Sequence, residues 1–292
     1  GTNKAVVLST TYGGSDVGNY TITDQTASTA SITPKALTIS GITAADKVYD
    51  GNSTATISNA ALVKSGFIAG DSLTVTATGN FRNAGNTAND KNVGTAKTVQ
   101  LASTYGGTDV GNYTITDQAS TTANITPKAL SISGITAANK EYDGTSTATV
   151  SSAGVVKTGL VVGDDLNVIT ATGNFRNAGN TANDKNVGTG KTVQLAATYG
   201  GNDVGNYTIT NQASTTADIT AKALTITGLA AVDKVYDGTS TTTVSNTAVV
   251  KTGLIAGDDL TVNATGNFRN AGNTANDKNV GANKAVVLST TY

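Results

Sequence analysis

The stretch SLTVTATGNFRNAGNTANDKNVG, Ser72–Gly94, decides how the rest of the chain is read. Its first half alternates. Leu73, Val75 and Ala77 fall on one side and Thr74, Thr76 and Thr78 on the other, the two-residue period of a half-buried strand. Its second half abandons alternation for Asn, Gly and Asp, the residues of tight turns. From Ala77 onward it is copied verbatim: ATGNFRNAGNTANDKNVG recurs at Ala171–Gly188 and Ala264–Gly281. DVGNYTIT begins at Asp16, Asp109 and Asp203, and YDG falls at Tyr49–Gly51, Tyr142–Gly144 and Tyr236–Gly238. Successive copies lie 93 or 94 residues apart, too long for a helical solenoid unit and fitting for a whole small domain in tandem.

Working outward, every period carries the same alternation. Leu37 and Ile39 share a face in KALTIS, Val99 and Leu101 in KTVQLAS, and Tyr113 and Ile115 in YTIT. YDG, TGN, NAGN, YGG and VGN punctuate these runs at short intervals. Only Ser58–Asp71 offers room for a helical turn, and the equivalent stretch carries Gly154 and two Val-Val pairs, which argue for strand or turn. The fold class expected is all-β: a tandem array of small Ig-like β-sandwich domains of 93–94 residues. The alternative is a β-grasp-like sheet with one short helix.

The domains expected are 1–34, the C-terminal part of a repeat; 35–127 and 128–221, complete repeats; and 222–292, the N-terminal part of a further repeat. At the joint ANITPKALSIS, Ala123–Ser133, only Thr126, Pro127 and Lys128 separate two strand patterns. Pro34 and Pro127, the only prolines, occupy equivalent joints, with Ala221 at the third. So short a connector gives little swing. The expectation is a stiff end-to-end stack, each domain about 35–45 Å long at ~3.3 Å per strand residue.

GTNKAVVLSTTY at Gly1–Tyr12 and GANKAVVLSTTY at Gly281–Tyr292 differ at one position in twelve, whereas GTAKTVQLASTY from Gly94 and GTGKTVQLAATY from Gly188 are more distant. This points to a super-repeat of three domains, 280 residues long, of which the chain is about one period with a short overlap.

Composition narrows the function classes. The 292 residues hold no Cys, Met, His or Trp, and 38% are hydrophobic. That hydrophobic share is above the range of disordered low-complexity chains. Without Cys there is no disulfide framework and no thiolate metal site; without His the commonest base and ligand is gone too. Nineteen basic and 20 acidic residues leave a formal charge of −1, which gives no electrostatic footprint for nucleic acid or an anionic membrane. No apolar run approaches the length of a membrane-spanning helix.

Several motifs bear on chemistry. The tyrosine of YDG is expected to pack over a domain edge while Asp-Gly makes a tight turn. Asp164–Asp165 and Asp258–Asp259 raise the thought of calcium. However, the first copy reads Gly70, Asp71, Ser72, and six to eight oxygens in a recognisable spacing are missing, so solvated turn residues are expected. A Lys–Asn isopeptide bond would need a buried acid beside the pair. The sequons at Asn19, Asn52, Asn112, Asn124, Asn206 and Asn263 arise readily in an Asn- and Thr-rich chain. TYGGTDVG lacks the helix and Lys-Ser/Thr pair of a phosphate loop and reads as a hairpin turn. No catalytic, cofactor-binding or metal-ligating residue is assigned, no cofactor is expected, and an enzyme is not.

The motif order DKVYDGTSTTTV (Asp233–Val244), TGLIAGDDLTV (Thr252–Val262), KNVGTGKTVQL (Lys185–Leu195), DVGNYTIT (Asp203–Thr210) and ANITPKAL (Ala123–Leu130) resembles the YDG-type repeat. That repeat is related to the MBG repeats of large secreted bacterial adhesins, including filamentous-haemagglutinin-like exoproteins. The resemblance covers nearly all of each period. One departure is RNAGNTAND, inserted between Phe81 and Lys91, where a longer loop could make lateral contacts. The resemblance implies an extracellular, cell-surface location and a structural stalk or fibre segment of a giant adhesin, acting as a stiff spacer. The alternatives are a self-assembling biofilm-matrix filament subunit and a weak multivalent glycan-binding module, the latter disfavoured by aromatics at only 5%. The partners expected are neighbouring repeats of the same chain and homotypic filament contacts.

Overall fold

A computed structural model describes residues 1–292. The chain is all-β, with strands separated by turns, no α-helix, and 3-10 turns at Val17–Asn19, Val110–Asn112 and Val204–Asn206. Its residues gather into two compact units that do not follow the sequence period. One comprises Gly1–Ser131, Thr158–Asn167 and Gly200–Thr210; the other comprises Ile132–Lys157, Val168–Tyr199 and Asn211–Tyr292. Three short segments of the second copy, 128–131, 158–167 and 200–210, thus belong with the first.

In the first unit the strand Thr74–Phe81 pairs antiparallel with Gly94–Gly106, setting Phe81 opposite Val99 and Gly79 opposite Leu101. It is part of a five-stranded sheet in the order Lys47–Val48, Ser120–Thr126, Gly94–Gly106, Thr74–Phe81, Thr54–Ala55. A three-stranded sheet runs Tyr113–Thr116, Lys35–Ser40, Val63–Ser65, and a two-stranded one joins Thr43–Ala44 to Ile57–Ser58. The alternation read from the sequence becomes burial: in Lys35–Ser40 only Leu37 and Ile39 are buried. Leu37, Ile39, Ile42, Phe81, Val99 and Ile125 are essentially sealed from solvent. Each such side chain contributes about 1.5–3 kcal/mol over its exposed state. Gly79 sits in this core because a Cβ there would lie 2.8 Å from Val99 Cγ1 and 2.9 Å from Ile57 Cδ1.

Parallel pairings occur in both the first and the second copy. Tyr113–Thr116 runs alongside Lys35–Ser40 with Ile115 opposite Leu37, and Ser120–Thr126 runs alongside Lys47–Val48 with Ile125 opposite Lys47. The all-β class expected from the alternation is present, and these parallel links add to its antiparallel sheets. Alternation reports which face is buried and carries no information on strand direction, so the sequence gives no sign of them. The chain's first residues form a separate two-stranded ribbon, Lys4–Val7 against Ala27–Ala30, exposed along both strands.

RNAGNTAND closes on itself. Arg82 donates from Nη1 to Asn89 Oδ1 at 2.7 Å and from Nη2 to the Asn86 carbonyl at 3.2 Å. Asn83 Oδ1 accepts the Thr87 N–H at 2.8 Å, and Asn86 takes a left-handed φ of 52°. The same bonds recur from Arg176 and Arg269. Below the loop Lys97 pairs with Asp90 at 2.5 Å, Lys97 only 10% exposed.

The second unit repeats the plan. Gly188–Gly200 pairs with Ser214–Thr220, and Ala148, Phe175, Val193, Ala217 and Ile219 form its core, with Tyr142, Val150 and Leu195 against it. The third copy is thinner. Its sheet runs Ala230–Ala231, Thr241–Ser245, Asn263–Phe268, Val286–Thr291, and residues 222–292 supply no counterpart of Ser120–Thr126 or Ser214–Thr220.

Candidate functional site

The turn that ends in YDG is built by its own short side chains. Lys47 Nζ donates to Asp50 Oδ1 at 2.7 Å and to the Asn52 carbonyl at 2.7 Å, and lies 5.7 Å from the centre of the Phe81 ring. Asp50 Oδ1 accepts the Asn52 N–H at 3.0 Å, while Gly51 takes φ 83°. The tight turn expected at Asp-Gly is present. Its consequence is that Tyr49 is driven inward to 1% exposure.

There, within the first unit, three groups converge on one carboxylate. Tyr49 Oη donates to Asp164 Oδ2 at 2.8 Å, Tyr207 Oη donates to the same oxygen at 2.5 Å, and Lys91 Nζ donates to Asp164 Oδ1 at 2.8 Å. Lys91 also reaches Asp203 Oδ1 at 3.0 Å. The Asp164 side chain is 3% exposed. The two tyrosine rings meet edge to face at 5.5 Å and 76°, and Lys91 Nζ stands 5.7 Å from the Tyr49 ring centre. Tyr207 Oη in turn accepts the Val161 N–H at 2.9 Å. Beside the carboxylate, buried Asn206 accepts the Val93 N–H at 3.0 Å and donates to Asn92 Oδ1 at 3.0 Å. Gly51 abuts Val161 so closely that a Cβ would fall 2.7 Å from its Cγ1.

Tyr49, Lys91, Asn92 and Val93 come from the first copy, and Val161, Asp164, Asp203, Asn206 and Tyr207 from the second. The cluster is therefore a fastener between copies. Charge sets its electrostatics. Burial works against ionised Asp164, but hydrogen bonds from Lys91, Tyr207 and Tyr49 outweigh it and hold the carboxyl below its usual range. Lys91 is pushed up by Asp164 and then by Tyr49. Burial, reinforced by Asp164, raises Tyr207 to about 12. Bonds of this kind, with an ionised partner, are the strong ones, and a wrongly docked neighbour would leave them unmade.

The second unit holds the same arrangement in reduced form. Tyr142 Oη donates to Asp258 Oδ2 at 2.7 Å and Lys185 Nζ to Asp258 Oδ1 at 2.7 Å, with Gly144 against Ile255. Asp258 is held below its usual range by Lys185 and then Tyr142. Residues 222–292 contain no counterpart of Tyr207, and Asp258 is 20% exposed against the 3% of Asp164. In the first copy Tyr113 donates to Asp71 and accepts the Ile68 N–H at 3.0 Å, the acceptor half of the same design.

The structure revises the sequence reading of these aspartates. Asp164 is a buried acceptor, not a solvated turn residue, and its oxygens are taken by two hydroxyls and an ammonium. Asp165 turns aside to accept from Asn167 Nδ2 and the Asn202 N–H. YDG tyrosine, KNVG lysine and GNY tyrosine, separate motifs in the sequence, meet at one point. The available signal was that all of them recur unchanged from copy to copy. Asn206 is a buried partner of the first copy, which closes its sequon to a sugar. For an isopeptide bond the nearest pair is Lys47 Nζ and Asn52 Oδ1 at 3.0 Å. The adjacent Asp50 is 47% exposed, and Thr145 and Thr239 replace the asparagine in later copies.

The YDG domain family matches the chain at residues 33–123, 126–217 and 220–292, and the chain belongs to that family as a tandem array of its repeats. No curated protein and no solved structure matches it.

Proposed function

We propose that this chain is a structural segment of an extracellular, cell-surface protein, a stalk in which YDG repeats are fastened to one another and hold distance. One observation carries the reading: Asp164 is shared by Tyr49, Tyr207 and Lys91, so that two copies of the repeat have one polar core between them. A spacer needs many equal units joined without play, and near-identical copies with a recurring Tyr–Lys–Asp fastener suit that need. The resemblance of the motif order to repeats of large secreted bacterial adhesins supports the same location and role. Negative-stain electron microscopy of the dilute chain tests it. Uniform elongated particles are expected, and flexible or collapsed particles would overturn the stalk reading.

A further inference from the structure

The segment that opens a repeat and the segment that closes it run side by side. In the first repeat Lys35–Thr38 pairs parallel with Tyr113–Thr116, and Lys47–Val48 pairs parallel with Ile125–Thr126. Side chains fill the gap between these two ladders. Gln118 Oε1 accepts the Ile42 N–H at 2.9 Å while its Nε2 donates to the Ile42 carbonyl at 2.8 Å, so one amide side chain stands in for a strand residue. Asp46 accepts the Asn124 N–H on Oδ1 at 2.7 Å and Asn124 Nδ2 on Oδ2 at 2.8 Å. The Tyr49 N–H closes the far end on the Thr126 carbonyl at 2.9 Å. Residues 35–49 and 113–126 are thus linked from one end to the other, both running the same way.

The second repeat makes the same set of bonds. Lys128–Ser131 pairs parallel with Tyr207–Thr210, and Lys140–Glu141 with Ile219–Thr220. Gln212 brackets Ile135 at 2.9 and 2.8 Å, and the Tyr142 N–H meets the Thr220 carbonyl at 2.9 Å. One pair is reversed. Where Asp46 faces Asn124, Asn139 faces Asp218, which donates its N–H to Asn139 Oδ1 at 2.8 Å and accepts Asn139 Nδ2 on Oδ2 at 3.1 Å. In both repeats the closing residue also receives an N–H from the bulge of the neighbouring strand, Ala96 on Asn124 Oδ1 and Gly190 on Asp218 Oδ1, each at 2.7 Å. Asp and Asn have changed places and every bond survives, so the position supplies the bonds and not a particular residue.

Direction gives this pairing its consequence. A pull applied before Lys35 and after Thr126 takes hold of the two parallel segments at opposite ends. They are drawn past each other along their common length, and the evenly spaced links between them are strained together. Had the segments been antiparallel, the same pull would open them one pair at a time. We propose that the paired ends of the YDG repeat are a tension clamp: residues 35–49 and 113–126 hold a repeat loaded through its two connectors in shear, and its remaining sheets bear little load until the clamp gives. The last link falls on Tyr49, whose hydroxyl is on Asp164, so the exit end of the clamp is the end that the next copy holds. Resistance to pulling is a function beyond spacing; it rests on the stalk reading for the presence of a load, and not for its geometry.

The test pulls on the full 292-residue chain, whose lack of cysteine leaves the points of attachment free to choose. Handles on Thr33→Cys and Pro127→Cys, both exposed, load the first repeat in shear. Handles on Thr33→Cys and Gly111→Cys, also exposed, load the same segments from one end and peel them apart. Forced unfolding follows the unfolding rate, so optical-tweezers lifetimes at equal force are expected to be at least about tenfold longer in shear. Equal lifetimes would overturn the proposal. Asn124→Asp sets two carboxylates against each other at an exposed pair and is expected to shorten the shear lifetime at least about tenfold, with the peeling lifetime held within about twofold. Adding Asp46→Asn recreates the pair of the second repeat and restores the shear lifetime. A shear lifetime that Asn124→Asp leaves unchanged, that the double substitution fails to recover, or that moves in step with the peeling lifetime would overturn it equally. Direction-independent lifetimes in a chain still seen as elongated particles refute the clamp and leave the stalk standing. Direction-dependent lifetimes in collapsed particles refute the stalk and leave the clamp.

Discussion

Removing the shared carboxylate should loosen the fastener by a calculable amount. In Asp164→Ala, Tyr49 and Tyr207 each lose the acceptor for a hydroxyl on a ring that is 1% and 7% exposed, and Lys91 keeps only Asp203. Leaving a buried hydroxyl unpaired costs about 1–3 kcal/mol, so two cost about 2–6 kcal/mol. Releasing Asp164 from its own desolvation offsets part of this. A net loss of about 3 kcal/mol is expected, which at ~1.4 kcal/mol per decade is roughly a hundredfold in the equilibrium for opening. The Val93 amide reports that opening because its acceptor is Asn206 of the second copy, 3.0 Å away. Native-state hydrogen exchange of the peptide around Val93 should speed up about a hundredfold, while amides of the Phe175–Val193 core stay protected. Glu141→Gln, which breaks the exposed Lys222–Glu141 pair, is the control and should cost about 0–1 kcal/mol. A change of less than tenfold at Val93 in Asp164→Ala would refute the reasoning. So would equal acceleration throughout the core.

Other outcomes follow from the same geometry. Phe175→Ala should cost about 3–5 kcal/mol, because Phe175 is fully buried; Phe268→Ala, at a half-buried ring, should cost clearly less, and urea titrations of the two variants compare them. Gly134→Ala should cost about 2 kcal/mol or more, since φ is 82° and the new Cβ would lie 2.2 Å from the Gly154 carbonyl oxygen; a melting temperature unchanged from wild type would contradict this. Melting followed by circular dichroism should be insensitive to pH between about 5 and 9 and fall on either side. Asp164 and Asp258 are held low, and Asp143 is lowered to about 2 by Lys140, so their contribution is present above about pH 4 and lost as the pH falls through the lowered values. Lys91 and Tyr207 are raised, so theirs is present below about pH 10 and lost as the pH climbs, for Tyr207 through about 12.

How far the sequence revealed this structure differs from element to element. The inward faces of Lys35–Ser40 and Thr74–Phe81 were legible because side chains of a strand alternate, and burial follows the alternation at Leu37, Ile39 and Leu73. The turns at Asp50-Gly51 and at Asn86 were legible because few residues accept those backbone angles. The parallel pairing of Tyr113–Thr116 with Lys35–Ser40 was not, because it joins segments more than 70 residues apart and alternation is blind to direction. The fastener was half legible. Repetition marked Tyr49, Lys91, Asp164 and Tyr207 as fixed features of the unit, but their meeting depends on how one copy follows another, and no local pattern encodes that. Asp164 read as a surface residue for the ordinary reason that aspartate in a Gly-Asp turn usually is one. The loop RNAGNTAND was read as a place for lateral contact; its polar groups are spent on one another, from Arg82 to Asn89 and from Asn83 to Thr87.

Whether the fastener makes two repeats into one mechanical piece is most directly measured as a distance distribution. Thr78 of the first copy and Thr208 of the second are exposed residues of the same compact unit, and the chain has no native thiol to compete with spin labels placed there. Pulsed electron–electron dipolar spectroscopy of the Thr78→Cys, Thr208→Cys chain should give a single narrow peak, and adding Asp164→Ala should broaden it. A broad distribution in the otherwise wild-type chain, or one that Asp164→Ala leaves unaltered, would contradict a fastened array.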